Sequence, residues 1–194
     1  MCGIFGIVTA EKNGNIGKIA LEGIKRLEYR GYDSCGIVSV FDNKLCVKKD
    51  SGKIHEIHEK IGLDHFPGNL ALSHTRWATH GPPTKINSHP HLDCNEKIAV
   101  VHNGIIENYN ALKKVLVQKG HTFNTETDTE TIAHLISELY HNGTSLEEAF
   151  RAALSEIDGT YGIAMISKHE PEKIFCARKG SPLVLGIGND EYFV

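Results

Sequence analysis

Strand-length apolar runs arrive in clusters around paired helices in this chain, an order that excludes a regular β-α-β alternation. The runs cover 3–9, 36–41, 44–49, 70–76, 97–102, 161–167, 173–178, 183–187 and 191–194. Helical spacing interrupts them in few places. Ile16, Ile19, Ala20, Gly23, Ile24 and Leu27 recur at i, i+3, i+4, i+7, i+8 and i+11, and Leu146, Ala149, Phe150, Ala153, Leu154 and Ile157 repeat the same spacing. Ile132, Leu135, Ile136 and Leu139 mark a third helix, and Leu112, Val115 and Leu116 a fourth that Gly120 stops. Thr144 with Glu147, and Thr127 with Glu130, have the spacing of capping boxes. Strands that follow one another without a helix between them pair antiparallel, so the pattern predicts an α+β fold with antiparallel sheets and helices packed outside.

A chain of 194 residues holds one well-buried domain. Lys and Arg number 21 against 24 Asp and Glu, a net charge of −3 with no basic stripe, which argues against nucleic acid and anionic membrane as partners. The longest apolar runs, such as Ile98-Ala99-Val100-Val101, have strand length and fall far short of a membrane span. Five scattered cysteines without a C-x-x-C pair, and no secretory signal, point to a reducing cytoplasmic setting.

Chemistry concentrates at the start and in the middle of the chain. Cys2 directly follows Met1; once Met1 is removed, one residue carries both a thiol and a free α-amine. An α-amine with a reference pKa of about 7.7–8.0 is partly neutral at physiological pH and serves as the base for that thiol. The other reading of Cys2 is a small buried residue starting a strand. His102-Asn103-Gly104, after the run 97–102, offers a side-chain amide and an unhindered backbone N–H as oxyanion donors, or else a plain turn. Arg76, beside the lone Trp77, suits a carboxylate, and Asp128 suits an ammonium or serves as a helix-start residue. The segment 78–96, with Pro82, Pro83, Pro90 and three histidines, reads as a long ordered loop. His80, His89, His91 and His102 suggest a metal, but their spacing fits no standard zinc pattern, so hydrogen-bonding roles are expected and no metal. No Walker loop or G-x-G-x-x-G occurs, and no cofactor is expected.

These motifs in this order resemble the glutaminase (class II glutamine amidotransferase) domains of the isomerising glutamine:fructose-6-phosphate aminotransferases. The resemblance runs through Cys2-Gly3-Ile4, Arg26-Leu27-Glu28-Tyr29-Arg30-Gly31-Tyr32-Asp33-Ser34, and His74-Thr75-Arg76-Trp77-Ala78-Thr79-His80-Gly81. It continues through Val101-His102-Asn103-Gly104-Ile105-Ile106-Glu107-Asn108, Glu126-Thr127-Asp128-Thr129-Glu130 and Gly180-Ser181-Pro182-Leu183-Val184. It implies an N-terminal nucleophile hydrolase fold, a four-layer αββα sandwich of two stacked antiparallel sheets.

It further implies Cys2 as nucleophile with its own amine as base, and Asn103 and Gly104 as oxyanion hole. Arg76 and Asp128 would grip the α-carboxylate and α-ammonium of L-glutamine, Thr79 and His80 would add glutamine contacts on a closing loop, and Trp77 would guard the exit of ammonia. The implied reaction is hydrolysis of glutamine to glutamate and ammonia through a γ-glutamyl thioester. In a full-length enzyme, expected to be a homodimer, the ammonia would reach a sugar-isomerase domain and convert fructose 6-phosphate to glucosamine 6-phosphate. Residues 1–194 would form the glutaminase domain, cut short of its last strands and lacking the isomerase part. A catalytically silent glutamine-binding or regulatory module is the alternative.

Overall fold

Alternation along the strands decides how the layers stack. The computed structural model describes residues 2–10, 15–78, 81–141 and 143–194. In chain order these residues form β1 (Gly3–Thr9), α1 (Ile16–Lys25), a 3₁₀ turn (Glu28–Arg30), β2 (Ser34–Phe41), β3 (Lys44–Ser51), α2 (Ile54–Ile61), β4 (Leu70–Arg76), β5 (His91–Leu92) and β6 (Ile98–Ile106). There follow α3 (Tyr109–Gln118), α4 (Thr129–Leu139), α5 (Leu146–Glu156), β7 (Gly159–Ser167), β8 (Glu170–Lys179), β9 (Gly186–Ile187) and β10 (Glu191–Phe193). One sheet has the order β3-β2-β4-β1-β10-β9 and the other β5-β6-β7-β8, with every ladder antiparallel.

On β4, Leu70 and Leu72 point one way and Ala71 the other, because successive side chains leave opposite faces. Leu70 and Leu72 meet Val38, Val40, Ala99, Val101, Ala164 and Ile166 in the gap between the sheets. Ala71 joins Ile16, Ala20, Ile24, Ile37, Ile54 and Ile57 beneath α1 and α2. Ile98, Val100, Ile163 and Met165, on the far face of the second sheet, pack against Ile132, Ile136, Ala149 and Phe150 of α4 and α5. The four layers are therefore helix, sheet, sheet, helix, as the resemblance implied. α1 lies close upon β1 at Gly23, where a Cβ would sit 2.4 Å from the Phe5 ring.

Several local expectations need correction. β6 runs to Ile106 instead of ending at 102, and Asn103 and Gly104 pair with Gly162 and Tyr161 as strand residues, so they form no turn. The helix cap at 145–148 is made by Ser145, whose hydroxyl accepts from the Glu148 N–H at 3.2 Å, not by Thr144 and Glu147. Thr127 and Glu130 form no box either, because the Glu130 carboxylate accepts from the backbone N–H groups of Asn124 and Thr125, both at 2.8 Å. Only Gly186 and Ile187 of the expected strand 183–187 are extended in a ladder. Helix α2 went unread: Ile54, Ile57 and Ile61 have the right spacing, but eight residues hold too few turns for a periodicity to stand out. The loop 78–96 contains the two-residue β5.

Candidate active site

The same alternation brings the chemical residues together at one end of the gap between the sheets. Arg76 and His74 continue the face of Leu72, and Asn103 continues that of Val101, so each lies just beyond the apolar filling. Cys2 precedes β1, whose Ile4 faces the same gap and pairs with His74. Cys2, Arg76, Trp77, Asn103, Gly104 and Asp128 line one cavity of about 290 Å³, at the small end of the range for ligand pockets.

The Cys2 sulfur receives the Trp77 backbone N–H at 3.3 Å and lies 3.5 Å from the Trp77 carbonyl oxygen. Burial pushes the thiol above its ordinary pKa, while the Trp77 N–H draws it down and Arg76 and Asp33 act in opposite senses. Asn103 Nδ2 donates to the Cys2 carbonyl oxygen at 3.2 Å, and Arg30 Nε donates to the same oxygen at 3.0 Å. What aims the Asn103 amide is His74. Its Nε2 lies 3.0 Å from Asn103 Oδ1 and 3.2 Å from the His102 carbonyl, both acceptors, so Nε2 carries the proton and the Asn103 NH₂ is left facing Cys2. Burial holds the His74 pKa down to about 3, so the ring stays neutral in that role. Gly104 has φ +131°, and a Cβ there would meet the Thr160 carbonyl oxygen at 2.0 Å, so glycine alone fits beside Asn103.

Arg76 is buried, with its terminal nitrogens donating to the carbonyls of Gly81 (3.2 Å) and Pro82 (3.3 Å). Burial lowers its pKa, opposed by the charges of Asp33, Cys2 and Asp128, and it remains a cation. Asp128 precedes α4 but its side chain makes no cap bond. Its Oδ2 instead accepts from the Ile106 N–H at 2.8 Å, with His102 Nδ1 4.0 Å away, while Oδ1 is 3.5 Å from the Thr129 hydroxyl. Asp128 thus stands at the start of α4 as read, but its carboxylate is a buried group at the cavity wall and does not cap the helix. Trp77 is half exposed, its ring edge-on to Tyr32 with centroids 5.3 Å apart. Thr79 and His80 lie outside the described residues. Three other histidines meet threonines: His89 Nε2 and His102 Nδ1 both reach Thr129 Oγ1, at 3.0 and 3.1 Å, and His91 Nε2 reaches Thr127 Oγ1 at 3.1 Å.

Residues 74–194 match the family model described as a glutamine amidotransferase domain, more than half of the chain and including Arg76, Asn103 and Asp128. The chain belongs to the glutamine amidotransferase domain family. It is 48% identical over its full length to the glutamine–fructose-6-phosphate aminotransferase (isomerizing) of Pyrococcus horikoshii, covering 32% of that protein. It is 52% identical over 97% of its length to the protein of the same name from Pyrobaculum aerophilum, covering 31% of it. The chain thus spans about a third of the length of the curated relatives it matches. The solved glutamine phosphoribosylpyrophosphate amidotransferase of B. subtilis superposes on all of the chain and 41% of that protein, with a TM-score of 0.81 at 27% identity. This glutamine amidotransferase domain has the fold of the N-terminal nucleophile amidotransferases.

Two residues of the site lie inside motifs read from the sequence yet carried no role there. His74 shares the alternation of Arg76 and so was placeable on the same face. Arg30 meets Cys2 only because the 3₁₀ turn after α1 swings back under the chain start, which no local pattern announces.

Proposed function

We propose that this amidotransferase domain hydrolyses the side-chain amide of L-glutamine, with Cys2 as nucleophile. The observation that carries the reading is one cavity holding a thiol, an amide donor aimed beside it, a buried guanidinium and a buried carboxylate. A raised thiol pKa calls for a base at Cys2, which the α-amine supplies once Met1 is removed; until then that nitrogen is an amide without basicity.

In the first half-reaction the thiol proton passes to the α-amine, the sulfur attacks the amide carbon, and the carbonyl oxygen becomes an anion. Asn103 Nδ2 and the Gly104 N–H hold that oxygen. The C–N bond breaks, the ammonium at the chain start returns its proton to the departing nitrogen, and ammonia leaves a γ-glutamyl thioester. Water, deprotonated by the same amine, attacks the thioester; the C–S bond breaks, the ammonium returns its proton to the Cys2 sulfur, and glutamate departs. Arg76 takes the substrate α-carboxylate and Asp128 Oδ1 its α-ammonium, the charges at opposite ends keeping the amide over Cys2. Thr79 and His80 add further contacts to glutamine, and Trp77 screens the ammonia from solvent.

Residues 1–194 act in this reading as the glutaminase domain. Because the matched relatives are about three times as long and are named for fructose 6-phosphate, the ammonia is consumed at a sugar-isomerase domain that aminates fructose 6-phosphate to glucosamine 6-phosphate. In this reading the glutamine chemistry itself uses no metal or cofactor, and the full-length form is a homodimer in the cytoplasm. Among the described residues no helix is long and apolar enough to cross a membrane.

Intact mass before and after 6-diazo-5-oxo-norleucine tests the nucleophile. An adduct confined to Cys2 of chain lacking Met1, together with loss of glutaminase activity in Cys2→Ala at retained glutamine binding, is the expected result. Binding without any adduct or turnover in processed chain would reduce the domain to a glutamine-binding module.

A further inference from the structure

Away from the cavity, three soft donor atoms converge from three parts of the chain. Cys94 lies in the turn between β5 and β6, His121 follows α3, and His134 sits in α4. Cys94 Sγ is 3.4 Å from His134 Nδ1 and 3.8 Å from His121 Nδ1, and the two ring nitrogens are 3.3 Å apart. A tetrahedral zinc ion, with Zn–N of about 2.05 Å and Zn–S of about 2.3 Å, sets two nitrogens about 3.3 Å apart and nitrogen about 3.6 Å from sulfur. The triangle has the dimensions of one face of such a tetrahedron.

The outer partners fix the rings for that task. His121 Nε2 faces Glu138 Oε2 at 3.1 Å, and His134 Nε2 faces Glu130 Oε1 at 3.5 Å. The Glu138 carboxylate holds a proton on His121 Nε2 and so turns the His121 Nδ1 lone pair toward His134 and the sulfur, whereas His134 Nε2 makes no hydrogen bond although Glu130 is near. At 3.3 Å the two Nδ1 atoms hold either a proton or a cation between them. The Thr122 backbone N–H donates to Cys94 Sγ at 3.3 Å, and the Thr122 carbonyl oxygen lies 3.7 Å from the same sulfur. The turn is held in place independently of the three donors. Asp93 accepts from the Lys97 and Ile98 N–H groups at 2.6 and 2.8 Å, and Ser137 of α4 donates to it at 3.0 Å.

We propose that Cys94, His121 and His134 bind a divalent zinc-class cation that staples the β5–β6 turn and the α3–α4 connection to α4, the helix whose start carries Asp128. Thiolate with two imidazoles selects zinc over magnesium or calcium, and the exposure of Cys94 leaves water to complete the fourth position. The reaction cavity shares none of these ligands.

Cobalt(II) chloride added to chelator-treated protein tests the site. One equivalent should bind, with visible d–d bands of tetrahedral intensity and a thiolate-to-cobalt charge-transfer band in the near ultraviolet, and one equivalent of zinc chloride should displace it. The charge-transfer band should vanish in Cys94→Ser and persist in Cys2→Ser, and His121→Gln should weaken zinc binding at least tenfold. Zinc should also raise the thermal midpoint of the wild type and leave that of Cys94→Ser unmoved. Cys94 and His121 are near the surface, so folded variants are expected and circular dichroism verifies them. Absence of uptake, a band that survives in Cys94→Ser, or a band lost in Cys2→Ser overturns the proposal; in the latter two cases the cation sits on other thiols.

Discussion

In the proposed mechanism a single amide orientation, that of Asn103, separates a working oxyanion hole from an inert one. Asn103 Oδ1 is engaged by His74 Nε2, which leaves only the NH₂ to face Cys2. Asn103→Ala should lower kcat for glutamine hydrolysis by about 10²–10³-fold, with a much smaller change in KM, because the donor acts on charge that develops only in the transition state. Steady-state kinetics over a range of glutamine concentrations check this. His74→Ala should lower kcat in the same sense, and His74→Gln, which can still present an N–H to Asn103 Oδ1, should recover part of it; equal defects in both variants would limit His74 to packing. At Asp128 the sequence left two roles open; the carboxylate turns away from its own helix to the Ile106 N–H, which favours the proposed role at the substrate ammonium. Asp128→Asn should raise KM for glutamine strongly while sparing the fold.

At the scale of the element, α4 is the part of the site that the rest of the chain holds in place. Its first turn is pinned from outside, with the Thr129 hydroxyl meeting both His89 and His102 and the Glu130 carboxylate taking the Asn124 and Thr125 N–H groups. Thr129→Val removes the hydroxyl at nearly constant volume and takes a partner from two buried ring nitrogens, at a cost of about 1–3 kcal/mol in all. Urea unfolding should show a loss in that range, and KM for glutamine should rise as Asp128 loosens. The periodicity of α4 was plain in Ile132, Leu135, Ile136 and Leu139, but the partners of its start were not. Those partners come from residues 40 and 27 positions upstream, and no local spacing encodes such a meeting.

Across the whole molecule, the gap between the two sheets holds an apolar filling and a cluster of neutral histidines. His74 stacks on His89 at 4.0 Å, and His89 meets His91 edge-on at 4.6 Å. Burial lowers the pKa of His74 to about 3 and those of His89 and His91 well below the usual value. Each of these groups binds a proton more readily unfolded than folded, so stability is full above about pH 6.5 and falls as pH drops toward the folded values. The unfolding free energy between pH 6 and pH 4 should fall with a slope exceeding about 1.4 kcal/mol per pH unit, the value for one proton. Urea titrations at several pH values measure that slope. Leu72, fully buried in the same gap, should cost about 2–5 kcal/mol on truncation to Ala.

The sequence by itself determined the elements with strong periodicity, antiparallel sheets with outer helices, and the residue types able to cleave an amide. These follow from local spacing, since a two-residue or 3.6-residue repeat commits each face to water or to a core. Where β6 ends, which serine or threonine caps α5, what aims Asn103 and which way Asp128 turns were decided only in the tertiary structure. So was the meeting of Cys94 with His121 and His134, whose donors lie 27 and 40 residues apart. Each depends on groups brought together by the stacking of layers, and a hydrogen bond within reach costs less than a buried polar group left alone. Long-range partners therefore override short-range motifs wherever burial removes water as the alternative.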